Sequence, residues 1–537
     1  MQPHDWTLAI DLGNGGPKTA VVTDADHLIA GTGFTPVSVT IGADGTATQD
    51  ASEWDVGLRA AIDQAIADAD ADRRRCSAVA ITGQWGSTVP VAEDGEPAGP
   101  VLLWADTRAR RHARRIVGGP LSIAGFAPHK ILPWVRLTGG APSPSGADPT
   151  GHAALLANEL AEVGARTVWT MEPVDYLAFR FTGLPRATPA SMILSWLTDN
   201  RPGAPIAYDE GLVARARRRR DQLPPLIATG TIQGPMTPDA AASLGLPAGI
   251  PVMAGLPDLH AAIVGSGAVT PYATHLALST TAWLSARVPF KKTDVLHSIA
   301  TVPGLDQHMP LVGNNLETGA SALAWLREQV ISPHDGLAGG GSGIGAEGAA
   351  PTAAEPTYAE LCDLAATAPA GSGGLIFAPW LAGERTPVED KHLRGTWLGL
   401  SLRTDRAAMI RSVLEGVALN VNWMMTYYRK FLNRPVPSLR VLGGGAQSDL
   451  WTQILADVLN MPVERVKDPM HAQLRGVALT SHIARGRYSL QAAASLVELD
   501  ATFRPNPADR GTYDALNDEY HRLYGTLKGT YRRLSGE

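Results

Sequence analysis

The stretch from Leu8 to Thr23 constrains the fold more than any other part of the chain. Apolar residues at positions 8–10 lead into the sequence DLGNGGPKTA, and a second β-like run follows at residues 21–23. Two short apolar runs joined by a glycine-rich segment predict a β-hairpin. Asp11 would end the first strand and Lys18 would open the second. We therefore expect the chain to begin with a hairpin whose turn faces a phosphate group.

Two other interpretations of this stretch were weighed. A P-loop would also place Lys18 and Thr19 after glycines, but the spacing argues against it. The motif needs four residues between its glycines, and Pro17 stands where the loop needs a glycine. An ordinary glycine hairpin without a ligand remains the alternative from this stretch alone.

The length of the chain predicts more than one domain. At 537 residues it suggests two large domains or three smaller ones. A content of 45% hydrophobic and 18% charged residues is typical of a soluble globular protein. The formal net charge of −6 argues against a nucleic-acid partner. The arginine run from Arg217 to Arg220 is accordingly interpreted as a solvated helix face.

Cysteine usage and the N-terminal residues bear on the compartment. Cys76 and Cys362 are too few for a disulfide framework or a metal cluster, and they fit a reducing compartment. The start, MQPHDW, lacks a secretory pattern, and no apolar run reaches membrane-spanning length. We expect a cytoplasmic protein without a membrane partner.

Polar and aromatic side chains follow two predicted strands in the first half of the chain. The run from Ala78 to Thr82 leads into GQWGSTV, and the run from Pro100 to Trp104 leads into ADTR. Ligands of α/β proteins tend to bind beyond the carboxyl ends of strands. The predicted binding residues are Gln84, Trp85, Trp104, Asp106 and Arg108. The alternative is that the tryptophans belong to the core and that the Asp–Arg pair lies on the surface.

A single acidic residue, Asp258, stands out in the segment PVMAGLPDLHAAIVGSG at residues 251–267. Glycine and proline before it mark a turn, and the small residues after it predict a helix. A carboxylate at the mouth of a glycine-rich region can act as a general base towards a substrate hydroxyl. The alternative is an aspartate that caps the helix.

The second half of the chain contains two more loop signals. A short apolar strand at residues 275–279 leads into Ser279-Thr280-Thr281, whose hydroxyls and amides suit either a phosphate or a plain turn. The strand from Arg440 to Leu442 leads into GGGAQSDLW, where glycines allow a nucleotide to approach the backbone closely. Residues 336–353 are mostly glycine and alanine and predict a flexible insertion.

Taken together, these segments resemble the FGGY carbohydrate kinases over nearly the whole chain. The most specific piece is GTWLGL at residues 395–400, followed at the family's spacing by Met409 and by RSVLEG at residues 411–416. The sequence GERTP at residues 383–387 also matches just upstream. The motifs around Gln84 and Trp104 are most similar to those of the xylulose kinase branch.

The resemblance implies ATP-dependent phosphorylation of a sugar or polyol, with roles assigned by position. Asp11 would hold Mg²⁺ through water, Lys18 would lie near the transferred phosphate, and Asp258 would accept the proton of the substrate hydroxyl. The strand ends at residues 84–85 and 104–108 would face the sugar. The other residues implied to contact ATP are Gly13, Asn14, Ser279, Thr280, Thr281, Gly444, Gly445, Ala446 and Asp449.

The resemblance also implies an α/β architecture of two ribonuclease-H-like domains, of the actin and Hsp70 ATPase type, around a central cleft. The N-terminal domain would span residues 1–265 and the C-terminal domain residues 266–537. Dimers occur in the family, so a homodimer is compatible with the resemblance.

Four departures, at five positions, distinguish the chain from the family pattern. Asn14 replaces a threonine in the first phosphate loop, and Ser279 replaces a glycine in the second. Trp85 and Gly86 replace the Met-His pair of xylulose kinases. Leu259 replaces a polar residue after the base. The last two departures predict a less polar pocket, suited to a ketopentose other than D-xylulose, a deoxysugar or a polyol.

Two further functions were considered. A catalytically weak relative could bind sugar or nucleotide as a sensor or scaffold. Asn14, Ser279 and the loss of the family's histidine at Gly86 favour this alternative, and the intact Asp11, Lys18 and Asp258 disfavour it. An actin-type or chaperone-type ATPase acting on proteins would conflict with the sugar-side motifs.

Overall fold

The computed structural model describes residues 5–122, 125–332 and 355–535. The glycine- and alanine-rich segment at residues 336–353 lies outside the described residues. The strands are β1 (Trp6–Gly13), β2 (Gly16–Thr23), β3 (Ile29–Phe34), β4 (Thr40–Ile41), β5 (Ala47–Gln49), β6 (Cys76–Gly83), β7 (Val89–Val91), β8 (Val101–Leu102), β9 (Trp169–Met171), β10 (Ile232–Pro235) and β11 (Pro251–Met253). They continue with β12 (Leu256–Pro257), β13 (Thr274–Leu278), β14 (Ala282–Ser285), β15 (Thr293–Asp294), β16 (Ile299–Val302), β17 (Leu311–Gly313), β18 (Ile376–Ala378), β19 (Thr396–Leu398), β20 (Leu439–Leu442), β21 (Val463–Val466) and β22 (Leu499–Phe503).

The helices fall into two groups, one in each half of the chain. The first group is α1 (Ala51–Asp68), α2 (Arg110–Val117), α3 (Pro128–Leu137), α4 (Pro149–Asn158), α5 (Ala161–Arg166), α6 (Pro173–Thr182), α7 (Glu210–Arg215), α8 (Pro238–Leu244) and α9 (Asp258–Gly265). The second group is α10 (Ser321–Leu326), α11 (Tyr358–Ala366), α12 (Arg406–Leu432), α13 (Asp449–Leu459), α14 (Ala472–Ala484), α15 (Leu490–Ser495) and α16 (Arg510–Leu534). None of the helices in the described residues combines the length and the apolar character needed to cross a bilayer.

The first large sheet has the order β10-β11-β6-β1-β2-β3, with β12 continuing beside β6. The predicted hairpin is confirmed, because β1 and β2 pair antiparallel, while β1 and β6 run parallel. Along β1, Leu8, Ile10 and Leu12 pack into the core that includes α1, whereas Ala9 packs towards α14. This alternation follows from the two-residue period of a strand. The alanine face lets a helix from the other half of the chain approach the sheet.

The second large sheet has the order β14-β13-β20-β21-β22. Strands β13, β20 and β21 run parallel, and antiparallel strands close both edges. Helix α12 is buried along most of its length in the core cluster that also contains residues of this sheet. A nearly continuous apolar helix of this kind is expected in the core of a large domain.

The two halves meet where α9 crosses α14. A Cβ atom added at Gly265 would lie 1.9 Å from the Ala472 carbonyl oxygen, and one added at Gly476 would lie 2.0 Å from the Ala261 carbonyl oxygen. Any side chain at either position would push the helices apart. The two glycines therefore hold the first residue of α9, Asp258, in a defined place relative to the second half.

The arginine run at residues 217–220 corrects one sequence-based interpretation. Helix α7 ends at Arg215, so the run does not form a helix face. Arg218 is buried, and its guanidinium donates to the Pro149 carbonyl oxygen at 3.0 Å. Arg219 is exposed and bonds Asp221. The prediction assumed that the backbone leaves all four side chains on the surface. The turn after α7 instead directs Arg218 into the protein.

Candidate active site

Asp258 is the first residue of α9, so the predicted helix start is confirmed, although the short strand β12 and not a loop leads directly into it. Its Oδ1 accepts a hydrogen bond from the Leu259 backbone N–H at 2.7 Å. The N-cap is Pro257, so Asp258 lies just inside the helix and does not cap it. Burial, and to a smaller extent the negative charge of Asp11, raise the pKa of Asp258 to about 7, against the opposing effects of the Leu259 bond and Lys18.

Asp11 and Lys18 face each other across the first hairpin. They are directly paired residues of β1 and β2, so their side chains project from the same face of the sheet. Lys18 Nζ lies 3.7 Å from Asp11 Oδ2, and the lysine side chain is half exposed while the aspartate is buried. The hairpin therefore presents a half-exposed cation beside a buried carboxylate, and both act electrostatically on Asp258.

The turn of this hairpin is tightly packed from behind. Gly16 has a φ of +130°, and an added Cβ atom would lie 2.0 Å from the Thr35 carbonyl oxygen. Only glycine fits this position without a shift of the backbone. The side-chain oxygen of Asn14 is buried and has no hydrogen-bond partner among the described residues. A buried acceptor of this kind fits a donor supplied by a ligand or by water.

The second predicted loop, Ser279–Thr281, connects β13 to β14. Its backbone is held by residues of the following segment, because the Gly319 N–H donates to the Thr280 carbonyl oxygen at 2.9 Å and the Ala320 N–H donates to the Ser279 carbonyl oxygen at 2.6 Å. The hydroxyls of the three loop residues form no hydrogen bond within the described part of the chain. They remain available to a ligand.

The glycine loop after β20 lies directly against the second loop. Gly443 has a φ of +97°, and an added Cβ atom would lie 2.5 Å from the Leu278 carbonyl oxygen and 2.9 Å from Ser279 Oγ. The structure thus brings together two segments that are more than 150 residues apart in sequence. Gly444 is exposed beside this contact, whereas Gly445 and Ala446 are buried.

Asp449 lies at the first residue of α13, on the far side of the glycine loop. Its side chain is exposed and accepts from Arg465 Nη1 at 2.6 Å. Ala446 packs into the core of the second half. In this arrangement, Gly444 and Asp449 present surface to a ligand, while Gly445 and Ala446 shape the loop from below.

On the other side, the Trp85–Gly86 turn lies beside Trp104. Trp85 is half-buried, and its indole N–H donates to the Ser191 carbonyl oxygen at 3.0 Å. An added Cβ atom at Gly86, which has a φ of +84°, would lie 3.4 Å from the Trp104 Cβ atom. Trp104 is partly exposed. The turn that carries Trp85 therefore lies near Trp104, and Trp85 packs against a core cluster whereas Trp104 is at the surface.

Asp106 and Arg108 do not form the surface pair that was the alternative. Asp106 is fully buried, and it accepts from Arg108 Nη2 at 2.7 Å and from the Ala47 N–H at 3.1 Å. Both of its oxygens are engaged by protein donors, so Asp106 anchors the segment. Arg108 keeps part of its guanidinium exposed.

Comparison of the chain with known protein families identifies the family to which it belongs. Residues 6–121 match the N-terminal domain, and residues 291–485 the C-terminal domain, of the FGGY family of carbohydrate kinases. The chain belongs to this family. It is therefore an ATP-dependent sugar kinase, which disfavours the ATPase acting on proteins that was considered from the sequence.

Individual relatives are similar to this FGGY kinase over almost its full length. A xylulose kinase of Staphylococcus epidermidis is 24% identical over 97% of both chains. A gluconokinase of Bacillus subtilis is 23% identical over 86% of this chain and 85% of its own. The crystal structure of a gluconate kinase from Lactobacillus acidophilus superposes with a TM-score of 0.81, at 21% identity and 99% coverage of both chains. The two-domain actin and Hsp70 type of fold is thereby confirmed.

Sequence reasoning missed Gln49, which links two predicted site residues of this FGGY kinase, Asn14 of the first loop and Gln84 of the predicted sugar side. The Gln49 amide donates to the Asn14 carbonyl oxygen at 2.7 Å, and its Oε1 accepts from Gln84 Nε2 at 3.3 Å. Gln84 in turn accepts from Ser87 Oγ at 3.1 Å. No local signal marks Gln49, because its importance comes from the small sheet β4-β5-β8 that carries it to the turn.

Two buried carboxyl groups behind the Trp85–Gly86 turn were also missed. Glu172 Oε2 accepts from the Gly86 N–H at 3.0 Å, and Asp175 is buried nearby. Burial raises the pKa of both groups well above the ordinary range, and their proximity raises that of Glu172 further. Glu172 therefore holds the turn from within the domain. Only the conformation of the turn reveals this role.

Proposed function

We propose that this kinase transfers the γ-phosphoryl group of ATP to a hydroxyl of a ketopentose-like sugar or a polyol, with Asp258 as the general base. The observation that carries the proposal is the position of Asp258. It lies at a helix start between the two halves, beside Asp11 and Lys18, with its pKa raised to about 7. A base whose pKa lies near the working pH is best suited to accept a proton in the transition state.

The proton and phosphoryl steps follow from this placement. The Asp258 carboxylate accepts the hydroxyl proton while the hydroxyl oxygen forms its bond to the γ-phosphorus, and the bond from that phosphorus to the β-phosphate oxygen breaks to release ADP. Phosphoryl transfer needs positioning and charge neutralisation more than covalent help. Lys18, which is half exposed on the hairpin, would neutralise charge on the transferred group.

The residues around Asp11 fit a magnesium ion that is bound mainly through water and phosphate. Bound Mg²⁺ would neutralise charge on the phosphates. The described residues contain no group of three His, Cys, Asp or Glu side chains that could enclose a metal. Asp11 nevertheless offers a buried carboxylate, and Asn14 offers a buried unpaired oxygen. Mg²⁺ is usually held by one or two carboxylates together with substrate phosphates, which agrees with this sparse set.

The nucleotide would lie between the two loops of the second half and the hairpin. The free hydroxyls of Ser279–Thr281 and the amides of Gly13 and Asn14 would bind the phosphates, and Gly444 with Asp449 would border the adenosine. Ser279 borders Gly443 closely, so the replacement of the family's glycine is accommodated without separating the loops.

The sugar would pack against Trp85 and Trp104, with Gln84 and Arg108 as polar partners. A flat indole face suits the C–H groups of a sugar, and the Gly86 position supplies no hydrogen-bonding side chain. A relative that is 24% identical is named xylulose kinase, and one that is 23% identical is named gluconokinase. The names alone therefore leave the substrate open. The apolar turn favours a substrate with fewer hydroxyls towards Trp85.

The free, buried Cys76 and Cys362 support our proposal of a cytoplasmic location, and a homodimer stays a prediction.

The test is ADP release with ATP and Mg²⁺ across ketopentoses, pentitols, tetritols, glycerol and gluconate. We expect one substrate to dominate and the activity to be lost in Asp258→Asn. Asp239→Asn is the matched control, because Asp239 also lies in the first turn of a helix but is exposed. Full activity of Asp258→Asn would refute the base. Bound ATP without turnover on any substrate would favour a sensor.

A further inference from the structure

A groove of about 580 Å³ lies beside the sugar-side segment and carries an unusual charge. It is formed by the turn at residues 43–45 and the start of α2, and its charged lining consists of Asp44, Arg108, Arg110, Arg111 and Arg114. Four of these five side chains are arginines. The function proposed above uses only Arg108.

The arginines of α2 are not neutralised by the protein. Arg110, Arg111 and Arg114 are exposed and form no ion pair within residues 5–122, 125–332 and 355–535. Other exposed arginines differ in this respect: Arg201 and Arg219 pair with Asp199 and Asp221, whereas Arg59 and Arg403 form no ion pair in the described part of the chain. What distinguishes the groove is that three unpaired arginines line one concave surface, with Asp44 as the single acidic residue of the lining.

The same arginines weaken the helix that carries them. In α2, Arg110 and Arg114 are four residues apart, as are Arg111 and Arg115, and like charges at this spacing repel. Arginines in the first turn also oppose the helix dipole, and Ala109 supplies no side-chain cap. The arginines of α2 are thus unfavourable for the helix by charge spacing, by the helix dipole and by the lack of a cap. Such locally unfavourable residues are expected at functional sites.

The groove is held in shape without a ligand. The Thr107 N–H donates to the Gly45 carbonyl oxygen at 2.9 Å, and the Arg110 N–H donates to the Thr107 carbonyl oxygen at 3.0 Å. Gly45 has a φ of +94°, and an added Cβ atom would lie 2.3 Å from Thr107 Oγ1, so the turn needs a glycine there. Arg108 is fixed through its bonds to the buried Asp106. A preformed wall lowers the entropic cost of binding.

We propose that this groove binds a small phosphate-bearing metabolite. Guanidinium groups match phosphate oxygens with paired hydrogen bonds, and several of them converge here on one concave surface. The volume suits a small molecule, and the net charge of −6 disfavours a polymeric nucleic acid. Because Arg108 also holds Asp106 beside Trp104, a ligand here would contact the segment that carries the sugar-side tryptophan.

The first test measures binding of inorganic pyrophosphate by titration calorimetry, in EDTA and with the nucleotide loops saturated by a non-hydrolysable ATP analogue. We expect one binding event that weakens about tenfold or more in Arg111→Ala/Arg114→Ala, because two charge-assisted contacts are lost. The matched control is Arg219→Ala/Arg220→Ala, which removes two exposed arginines that have acidic partners. Equal affinity of the groove variant and the wild type would overturn the proposal.

A second measurement uses the unaltered protein and so does not depend on the folding of a variant. Phenylglyoxal modifies exposed arginines, and peptide mass spectrometry reports which ones react. Pyrophosphate should protect Arg111 and Arg114 several-fold and leave Arg219 reactive. Absence of protection at the groove, or equal protection at all three residues, would refute a site there. Neither measurement requires turnover, so the outcome is independent of the proposed catalytic role of Asp258.

Discussion

The pH dependence of turnover tests the environment of Asp258 directly. Its pKa lies at about 7 because the carboxyl is partly buried beside Asp11. The base must be ionised in order to accept a proton. With a pKa of 7, about 9% of the enzyme is competent at pH 6 and about 91% at pH 8, so kcat/KM should rise about tenfold over this range. An aspartate with an ordinary pKa would show no change.

The assay is direct quantification of ADP at substrate concentrations well below KM, so that no coupling enzyme adds its own pH dependence. The profile of kcat/KM reports groups of the free enzyme, which is the state that the structure describes. Asp258→Asn should lower kcat/KM by about 10²–10⁴-fold, the usual contribution of a general base. The residual kcat/KM of the variant should also no longer rise between pH 6 and pH 8, which is the step that the ionisation of Asp258 produces in the wild type.

A flat profile between pH 6 and pH 8 in the wild type would refute the reasoning, as would a step that persists unchanged in Asp258→Asn. The exposed Asp239→Asn should retain both the rate and the step. A step that moves to a lower pH in Asp11→Asn, measured on its residual activity, would further support the assignment, since the charge of Asp11 raises the pKa of Asp258.

The same pKa predicts a cost in stability. The pKa of Asp258 in the folded protein is about 7, above the ordinary 3.8, so the folded state binds more protons than the unfolded state between these values. The free energy of unfolding contributed by this group therefore falls as the pH rises from 4 to 7. Asp258→Asn should raise the unfolding temperature at pH 8 and leave it unchanged below pH 4, and equal shifts at both pH values would contradict this origin.

Two further perturbations follow from contacts outside the base. Gln49→Ala should lower kcat/KM about tenfold for both ATP and sugar, since the Gln49 amide bonds both Asn14 of the first loop and Gln84 of the predicted sugar side. Gln64 is an exposed glutamine on α1, and Gln64→Ala should change neither value. Gly476→Ala should destabilise the protein by about 1–3 kcal/mol in urea unfolding and lower kcat, because the added methyl group separates α9 from α14. Gly511→Ala, where nothing lies within 4 Å of the added atom, should do neither, and a tolerated Gly476→Ala would show that the helices have room.

Local patterns predicted the elements that carry the chemistry. The hairpin at β1 and β2, the helix start at Asp258, the loop after β13 and the glycine loop after β20 all occupy the predicted positions. Each depends on residues adjacent in sequence, such as glycines at a turn or apolar residues at a fixed period. The family follows from the same local motifs.

Predictions failed where a long-range contact decided the outcome. The strand expected at residues 100–104 is limited to Val101–Leu102, because the chain leaves the small sheet to place Asp106 in its buried bonds. Arg218 is buried although it stands in a run of arginines, since its partners lie on distant segments of the chain. Such partners leave no mark in the neighbouring sequence.

The sequence by itself determined that this chain is an FGGY kinase with a hairpin, an aspartate and two glycine-rich loops in a given order. Only the tertiary structure decided that α9 and α14 touch through glycines and that Gln49 joins the two sides of the site. It also decided that Asp258 has a pKa of about 7. The physical reason is that propensities and turn chemistry act over a few residues, whereas burial and charge depend on which distant segments pack together.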